Sequence, residues 1–273
     1  SSDGNTVAIG AYANGGNGTW SGHVRVYNFD GNIWIQIGQD IDGEAAGDQS
    51  GHSVSLSADG NTLAIGAHEN DGNGSNSGHV RIYIYNGSSW VQIGQDIDGE
   101  LPPLSSDGNG DESGGSVSLS SNGNIVAIGA IGNDGNGTSS GHVRIYSYKK
   151  SSWTQLGQDI DGEAAEDYSG NSVSLSSDGN TVAIGAYQND GNGTNAGHVR
   201  IYENTGGSWS QIGGDIDGEA TFDQSGYSVS LSSDGNTVAI GAYGNDGNGT
   251  DAGHVRIYEN TGGSWSQIGQ DID

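Results

Sequence analysis

The stretch that decides the fold runs from Ser53 to Tyr83. It reads Ser53-Val54-Ser55-Leu56, the turn Asp59-Gly60-Asn61, Thr62-Leu63-Ala64-Ile65-Gly66-Ala67 and, after a Gly- and Asn-rich loop, His79-Val80-Arg81-Ile82-Tyr83. Apolar side chains alternate along it, which is the period of a half-buried strand, and no segment has a helical period. Gly60 and Asn61 suit the positive φ that tight hairpins require. A fourth strand is expected from Trp90 to Ile93 after the turn Asn86-Gly87-Ser88, and a long connection from Gln95 leads to the next first strand.

This pattern repeats along the chain. Ser-Ser-Asp-Gly-Asn starts at Ser1, with counterparts at Ser57, Ser120, Ser176 and Ser232, at intervals of 56, 63, 56 and 56 residues. The long interval carries seven extra residues after Glu100, around Leu101, Pro102, Pro103 and Leu104. The units are therefore 1–56, 57–119, 120–175, 176–231 and 232–273. A four-stranded antiparallel unit that cannot bury both faces alone, repeated with a long fourth-to-first crossover, predicts an all-β fold. That fold is a β-propeller of five four-stranded antiparallel blades, one domain over 1–273. The chain opens on strand two, so one strand one is lacking, and an unpaired edge is a template for a strand from elsewhere. A start at Ser1 without Met is expected of a processed or excerpted piece.

The 273 residues include 52 Gly, 34 Asp and Glu and only 7 Lys and Arg, a net charge of -27. That balance excludes nucleic acid as a partner, because phosphate neutralisation needs basic residues. Leu, Ile, Val and Phe make up about 18% of the chain, a composition that with this charge reads as disorder. The alternation overturns that reading. No Cys is present, so disulfide and thiol chemistry are excluded. No apolar run approaches the ~18 residues of a membrane span, so membrane insertion is not expected.

Several side chains recur once per unit. Trp34, Trp90, Trp153, Trp209 and Trp265 suit blade-to-blade packing, given the area an indole buries. Arg25, Arg81, Arg144, Arg200 and Arg256 are expected to pair with repeated carboxylates or to stack on aromatic rings. Ser and Ala fill alternate positions of strands one and two, where blades must approach closely. Copies four and five differ at 3 of 42 aligned positions, Gln188/Gly244, Asn195/Asp251 and Gly214/Gln270. So close a match favours an array over one asymmetric active site.

The succession Ser-Gly-x-Ser-Val-Ser-Leu, Asp-Gly-Asn, Val-Ala-Ile-Gly-Ala and Gly-His-Val-Arg-Ile-Tyr resembles the FG-GAP repeat of integrin-α-type propellers, over all five units. Where that family has Phe-Gly, this chain has Ser50-Gly51 and Ser225-Gly226. Where it has Gly-Ala-Pro, this chain has Gly10-Ala11-Tyr12, Gly66-Ala67-His68 and Gly129-Ala130-Ile131. The family's calcium loop lies between strands one and two, where this chain has only Asp3-Gly4-Asn5 and its copies, so that site does not carry over. The resemblance implies an extracellular or cell-surface adhesion or recognition propeller, not an enzyme.

Strand parity puts the two-to-three and four-to-one connections on one face, which then holds 27 of the 34 acids. One reading is a solvated, solubilising face. The other is Ca²⁺, which takes six to eight closely spaced oxygens. Its candidate ligands are Asp40, Asp42, Glu44 and Asp48 with their copies, and Asp107, Asn109, Asp111 and Glu112 in the insertion. On the same face Asn17, Asn73, Asn136, Asn192 and Asn248 each open an N-glycosylation pattern, although Asn-Gly also suits a tight turn.

Catalysis has little support. Gly137-Thr138-Ser139-Ser140-Gly141 matches a nucleophile-elbow pattern, but no strand-to-helix turn surrounds it. His52 and His68 are unrepeated and have no visible partner, so a surface role is expected. The expected function is a structural or adhesive module building a surface filament or appendage, with other copies of itself or another surface protein as partners. The alternative is a carbohydrate-binding, lectin-like propeller with one glycan subsite per blade.

Overall fold

The computed structural model describes residues 1–100 and 110–273, and every regular element in them is a strand. The strands form five antiparallel sheets, the five blades. Blade 2 is representative: Ser53–Leu56, Thr62–Ala67, His79–Tyr85 and Trp90–Gln92 lie side by side in chain order. Blade 1 begins at strand two, Thr6–Gly10, and has no strand one. The 56-residue unit and the blade are out of phase, since each strand one stands at the end of the preceding unit.

One expectation is corrected. Strand four does not end at Ile93; it breaks and resumes as Ile97–Asp98, which pairs with His79–Val80 at the other end of strand three. The break follows Gly94, whose φ is +74° and whose Cβ, if present, would lie 2.6 Å from the Trp153 ring of the next blade. The chain bulges there to admit that indole. The start of the long connection is thus still sheet.

Blades join by apolar faces and by a serine ladder. Four apolar clusters fill the four interfaces between consecutive blades. At the first, Val24, Val26 and Ile41 of blade 1 meet Leu63, Ile65, Tyr83 and Trp90 of blade 2. Strands one line the axis, where Ser53, Ser116 and Ser172 donate through Oγ to Gly114, Gly170 and Gly226 carbonyls of the following blade. Ser55, Ser118 and Ser174 accept from the amides of Leu119, Leu175 and Leu231. The strands at the axis are therefore serine-rich because hydroxyls bridge neighbouring backbones there. At one end of the axis, Ser2, Ala58, Ser121 and Ser177 each donate a backbone N–H to the equivalent carbonyl one blade on, ending at Ser233. Among the described residues no hydrogen bond joins blade 5 to blade 1.

At three interfaces a glutamine clips the indole's backbone to the preceding blade. Gln39 donates to Trp90 O at 3.0 Å and accepts from Trp90 N at 3.2 Å, and Gln95 and Gln158 do the same for Trp153 and Trp209. At the blade 4–5 interface the residue is Gly214, and a cavity of about 380 Å³ opens beside Asp215, Tyr258 and Trp265. Nothing stands within 4 Å of a Cβ at Gly214. Gly214→Gln is expected to restore two hydrogen bonds and stabilise the chain by about 1–2 kcal/mol. Thermal unfolding tests this; an unchanged or lower midpoint would refute the clip.

Candidate functional site

The blades repeat closely in their cores and differ most sharply in side-chain type at the axial mouth opposite that backbone ladder. Two positions reach it in blades 2–5 and one in blade 1. The residue after Ser-Gly is His52, Gly115, Asn171 or Tyr227, and the residue after Gly-Ala is Tyr12, His68, Ile131, Tyr187 or Tyr243. The His52 and His68 rings pack with centroids 4.0 Å apart, and Tyr12 meets His52 edge-on at 5.6 Å. Across the mouth, Tyr168, Tyr187, Tyr227 and Tyr243 form a run of rings 4.6–5.8 Å apart. Between them is a cavity of about 310 Å³ lined by His52, His68, Glu112, Ile131, Asn171 and Tyr227.

Burial sets the electrostatics of this mouth. It lowers the pKa of His52 and pushes His68 down to about 4, with the His52 imidazole adding repulsion. Burial, reinforced by Glu69, raises that of Glu112. Nδ1 of His68 is buried without a hydrogen-bond partner among the described residues. His52 and His68 are thus in contact; His52 is exposed, in keeping with a surface role, and His68 is half-buried. Strand alternation alone could not show that residues 16 apart in sequence share the axis. The legible signal was that these positions vary in otherwise uniform repeats.

The repeated side chains lie between blades. Trp90, Trp153, Trp209 and Trp265 donate Nε1–H to the carbonyls of Ile37, Ile93, Leu156 and Ile212 in the preceding blade at 2.7–3.0 Å. Trp34, on blade 1, is 48% exposed. Arg25 holds Asp40 of its own blade at 2.8–3.0 Å, and this pairing, helped by Gln36, lowers the Asp40 pKa to about 2. Arg81, Arg200 and Arg256 donate to the Asp42, Asp161 and Asp217 carbonyls of the preceding blade and lie 3.5–3.6 Å from Glu44, Glu163 and Glu219. Each also sits 5.5–5.7 Å from the tyrosine ring two residues on. Arg144 binds both Glu100 and Asp159; burial opposes its charge, and these two carboxylates outweigh burial and raise its pKa. His79, His142 and His198 beside them are pushed to about 4, chiefly by burial and then by the arginines.

The FG-GAP repeat model matches residues 41–85, 160–202 and 216–258. The chain carries FG-GAP repeats. Each match runs from the second piece of strand four through strand three of the next blade. A search of curated proteins finds no match. Among solved structures, the chain is similar to the periplasmic gluconolactonase PpgL of Pseudomonas aeruginosa, with 16% identity and a TM-score of 0.61, over 98% of this chain and 68% of that one. It is also similar to hydrazine synthase of Kuenenia stuttgartiensis, with 13% identity and a TM-score of 0.52, over 90% of this chain and 59% of that one. A putative 6-phosphogluconolactonase of Bacteroides uniformis aligns over 98% and 96% at 12% identity and a TM-score of 0.43.

At these identities the likeness shows the fold alone. It nevertheless corrects the sequence-based exclusion of an enzyme, since a protein described as a gluconolactonase shares this architecture. The physical reason is visible here. Repetition constrains the strands and interfaces, while side chains at the axial mouth differ from blade to blade of this chain, so near-identical repeats do not preclude one asymmetric site. The Ser139 pattern rests on loop shape: its positive φ of 48° recurs at Trp20, Asn76, Asn195 and Asp251.

The acids of the FG-GAP blades disperse. Asp40 pairs with Arg25, Glu44 reaches Arg81 and His79 of the next blade, the Asp42 side chain is exposed, and buried Asp48 accepts from Ala45 N. In the insertion Asp107 and Asn109 lie outside the described residues. Asp111 accepts from Asn133 and Glu100 N, and Glu112 lines the axial cavity. Four interfacial groups could hold a metal ion: Glu44/His79/Asp96, Glu100/His142/Asp159, Glu163/His198/Asp215 and Glu219/His254/Asp271. Of the sequons, Asn17, Asn73, Asn136 and Asn192 donate Nδ2–H to the carbonyls of Gly43, Gly99, Gly162 and Gly218 at 2.8 Å, tying the two rim loops together, and Asn248 is exposed.

Proposed function

We propose that this FG-GAP propeller is an adhesive or structural module of the cell surface or extracellular space that assembles blade to blade with other copies of itself or another surface protein. One observation carries the reading: the outward faces of blades 1 and 5, exposed among the described residues, are complementary. On blade 1, Val7, Ile9, Tyr27 and Trp34 line an apolar groove of about 300 Å³. They occupy the positions that in blade 2 are Leu63, Ile65, Tyr83 and Trp90, buried against blade 1. On blade 5, Val255, Ile268 and Ile272 are exposed. Their counterparts Val24, Ile37 and Ile41 form the other half of that same contact. Each open face therefore matches, residue for residue, one half of an interface made four times inside the molecule.

A blade 5 face docked on a neighbour's blade 1 would give a head-to-tail contact, which propagates instead of closing in pairs. Sedimentation over a range of concentrations is expected to show association beyond the dimer, and Trp34→Ala to abolish it. A monomer at every concentration would remove the reading. Run with Ca²⁺ and with EDTA, the same experiment tests an ion at the rim. Each interfacial cluster already has a guanidinium beside its carboxylates, and a dication would have to displace it. Association independent of both additions is therefore expected. Association that requires Ca²⁺ would give the clusters an ion.

A further inference from the structure

We propose that the axial cavity is a single binding site for a neutral sugar ring. This goes beyond assembly through the outward faces, because the cavity uses no residue of those faces. The repeated Trp, His and Arg side chains are packed between blades at all but the first, so they do not form a row of equal subsites. Repetition fails at the axial mouth, among other places, and the residues that differ there are of the types that bind sugars.

Tyr227 presents an aromatic ring to the cavity, and Ile131 adds an apolar wall. An aromatic face packs against the C–H face of a pyranose, which is apolar although its rim is polar. Around them stand Asn171, Glu112, His52 and His68, planar groups with donors and acceptors for vicinal hydroxyls. Asn171 is held in place by donating Nδ2–H to Tyr227 O at 3.0 Å. His68 lines the cavity with its Nε2 3.8 Å from Glu69 Oε1. At about 310 Å³ the cavity lies at the small end of the ~300–1,000 Å³ range of small-molecule sites.

Charge narrows the class further. A chain of net charge -27 repels anions. Burial lowers the pKa of both imidazoles, which disfavours their cationic form as a partner for a phosphate or carboxylate. Among the described residues, a Cβ at Gly115 would meet Glu112 O alone, at 3.5 Å, which leaves room beside the cavity.

The test uses the methyl pyranosides of glucose, galactose, mannose and N-acetylglucosamine as probes, with the imidazole NMR signals of His52 and His68 as the readout. Saturable shifts are expected with at least one sugar. Tyr227→Ala is expected to weaken binding about tenfold or more, and Gly115→Phe, which fills the cavity, to abolish it at an unchanged unfolding midpoint. Should Gly115→Phe unfold, Tyr227→Ala decides, because its half-exposed ring lies outside the blade cores. No saturable shift with any of the sugars would overturn the proposal. So would binding that survives in both variants, or tetramethylammonium binding where the sugars fail.

Discussion

Trp153→Ala is expected to destabilise the chain by about 3–5 kcal/mol, the usual range for a buried Trp. Trp153 is 3% exposed and sits in the apolar cluster between blades 2 and 3. Its loss leaves a cavity against Ile82, Val126 and Ile128, and orphans the Ile93 carbonyl that its Nε1–H satisfies at 3.0 Å. With ~2–4 °C per kcal/mol for a chain of this size class, the midpoint falls by roughly 10 °C. Trp34→Ala is the control. Its indole occupies the same position on a face with no preceding blade, so the isolated chain is expected to lose less than ~1 kcal/mol. Equal losses at the two sites, read by denaturant unfolding, would show that the indole stabilises its own blade and not the interface.

Gly129→Ala is expected to act as severely although it adds one methyl group. That Cβ would stand 2.0 Å from Gly170 O and 2.5 Å from Ser116 Oγ. The first obstacle is backbone of the next blade, held in a strand-to-strand contact, so blades 3 and 4 must separate. Overpacking usually costs about 1–3 kcal/mol, and a backbone clash that no rotamer relieves belongs at or above the top of that range. The equivalent Gly241 in blade 5 provides the comparison. It has no following blade, and its Cβ would crowd only the side chain of Ser228. Gly241→Ala should therefore lower the midpoint far less than Gly129→Ala. A mild effect at Gly129 would mean that the blades slide apart easily.

How much was legible in the sequence follows from which contacts are local. Val80 and Ile82 alternate with His79, Arg81 and Tyr83 because a strand has two faces, so strand three could be placed from the pattern. Strand four could not be placed completely. Its second piece, Ile97–Asp98, is two residues long, and only its pairing with His79–Val80 distinguishes it from a loop. The repeated arginines announced a carboxylate partner, but not that Arg25 takes Asp40 in its own blade while Arg81 reaches back to Asp42 and Glu44 of the preceding one. Which of several equally spaced acids lies within reach depends on the offset between blades.

The sequence by itself determined the all-β class, the five units and the residues that recur in each, because alternation and repetition are properties of order along the chain. It also contained, unread, the variation at the axial mouth. Only the tertiary structure decided that His52, His68, Glu112, Asn171 and Tyr227 line one cavity, and that Trp34 and Ile272 are exposed among the described residues while their counterparts in the blade interfaces are buried. Those outcomes turn on how blades stack about an axis, which brings together side chains from four different units that no period in the sequence connects.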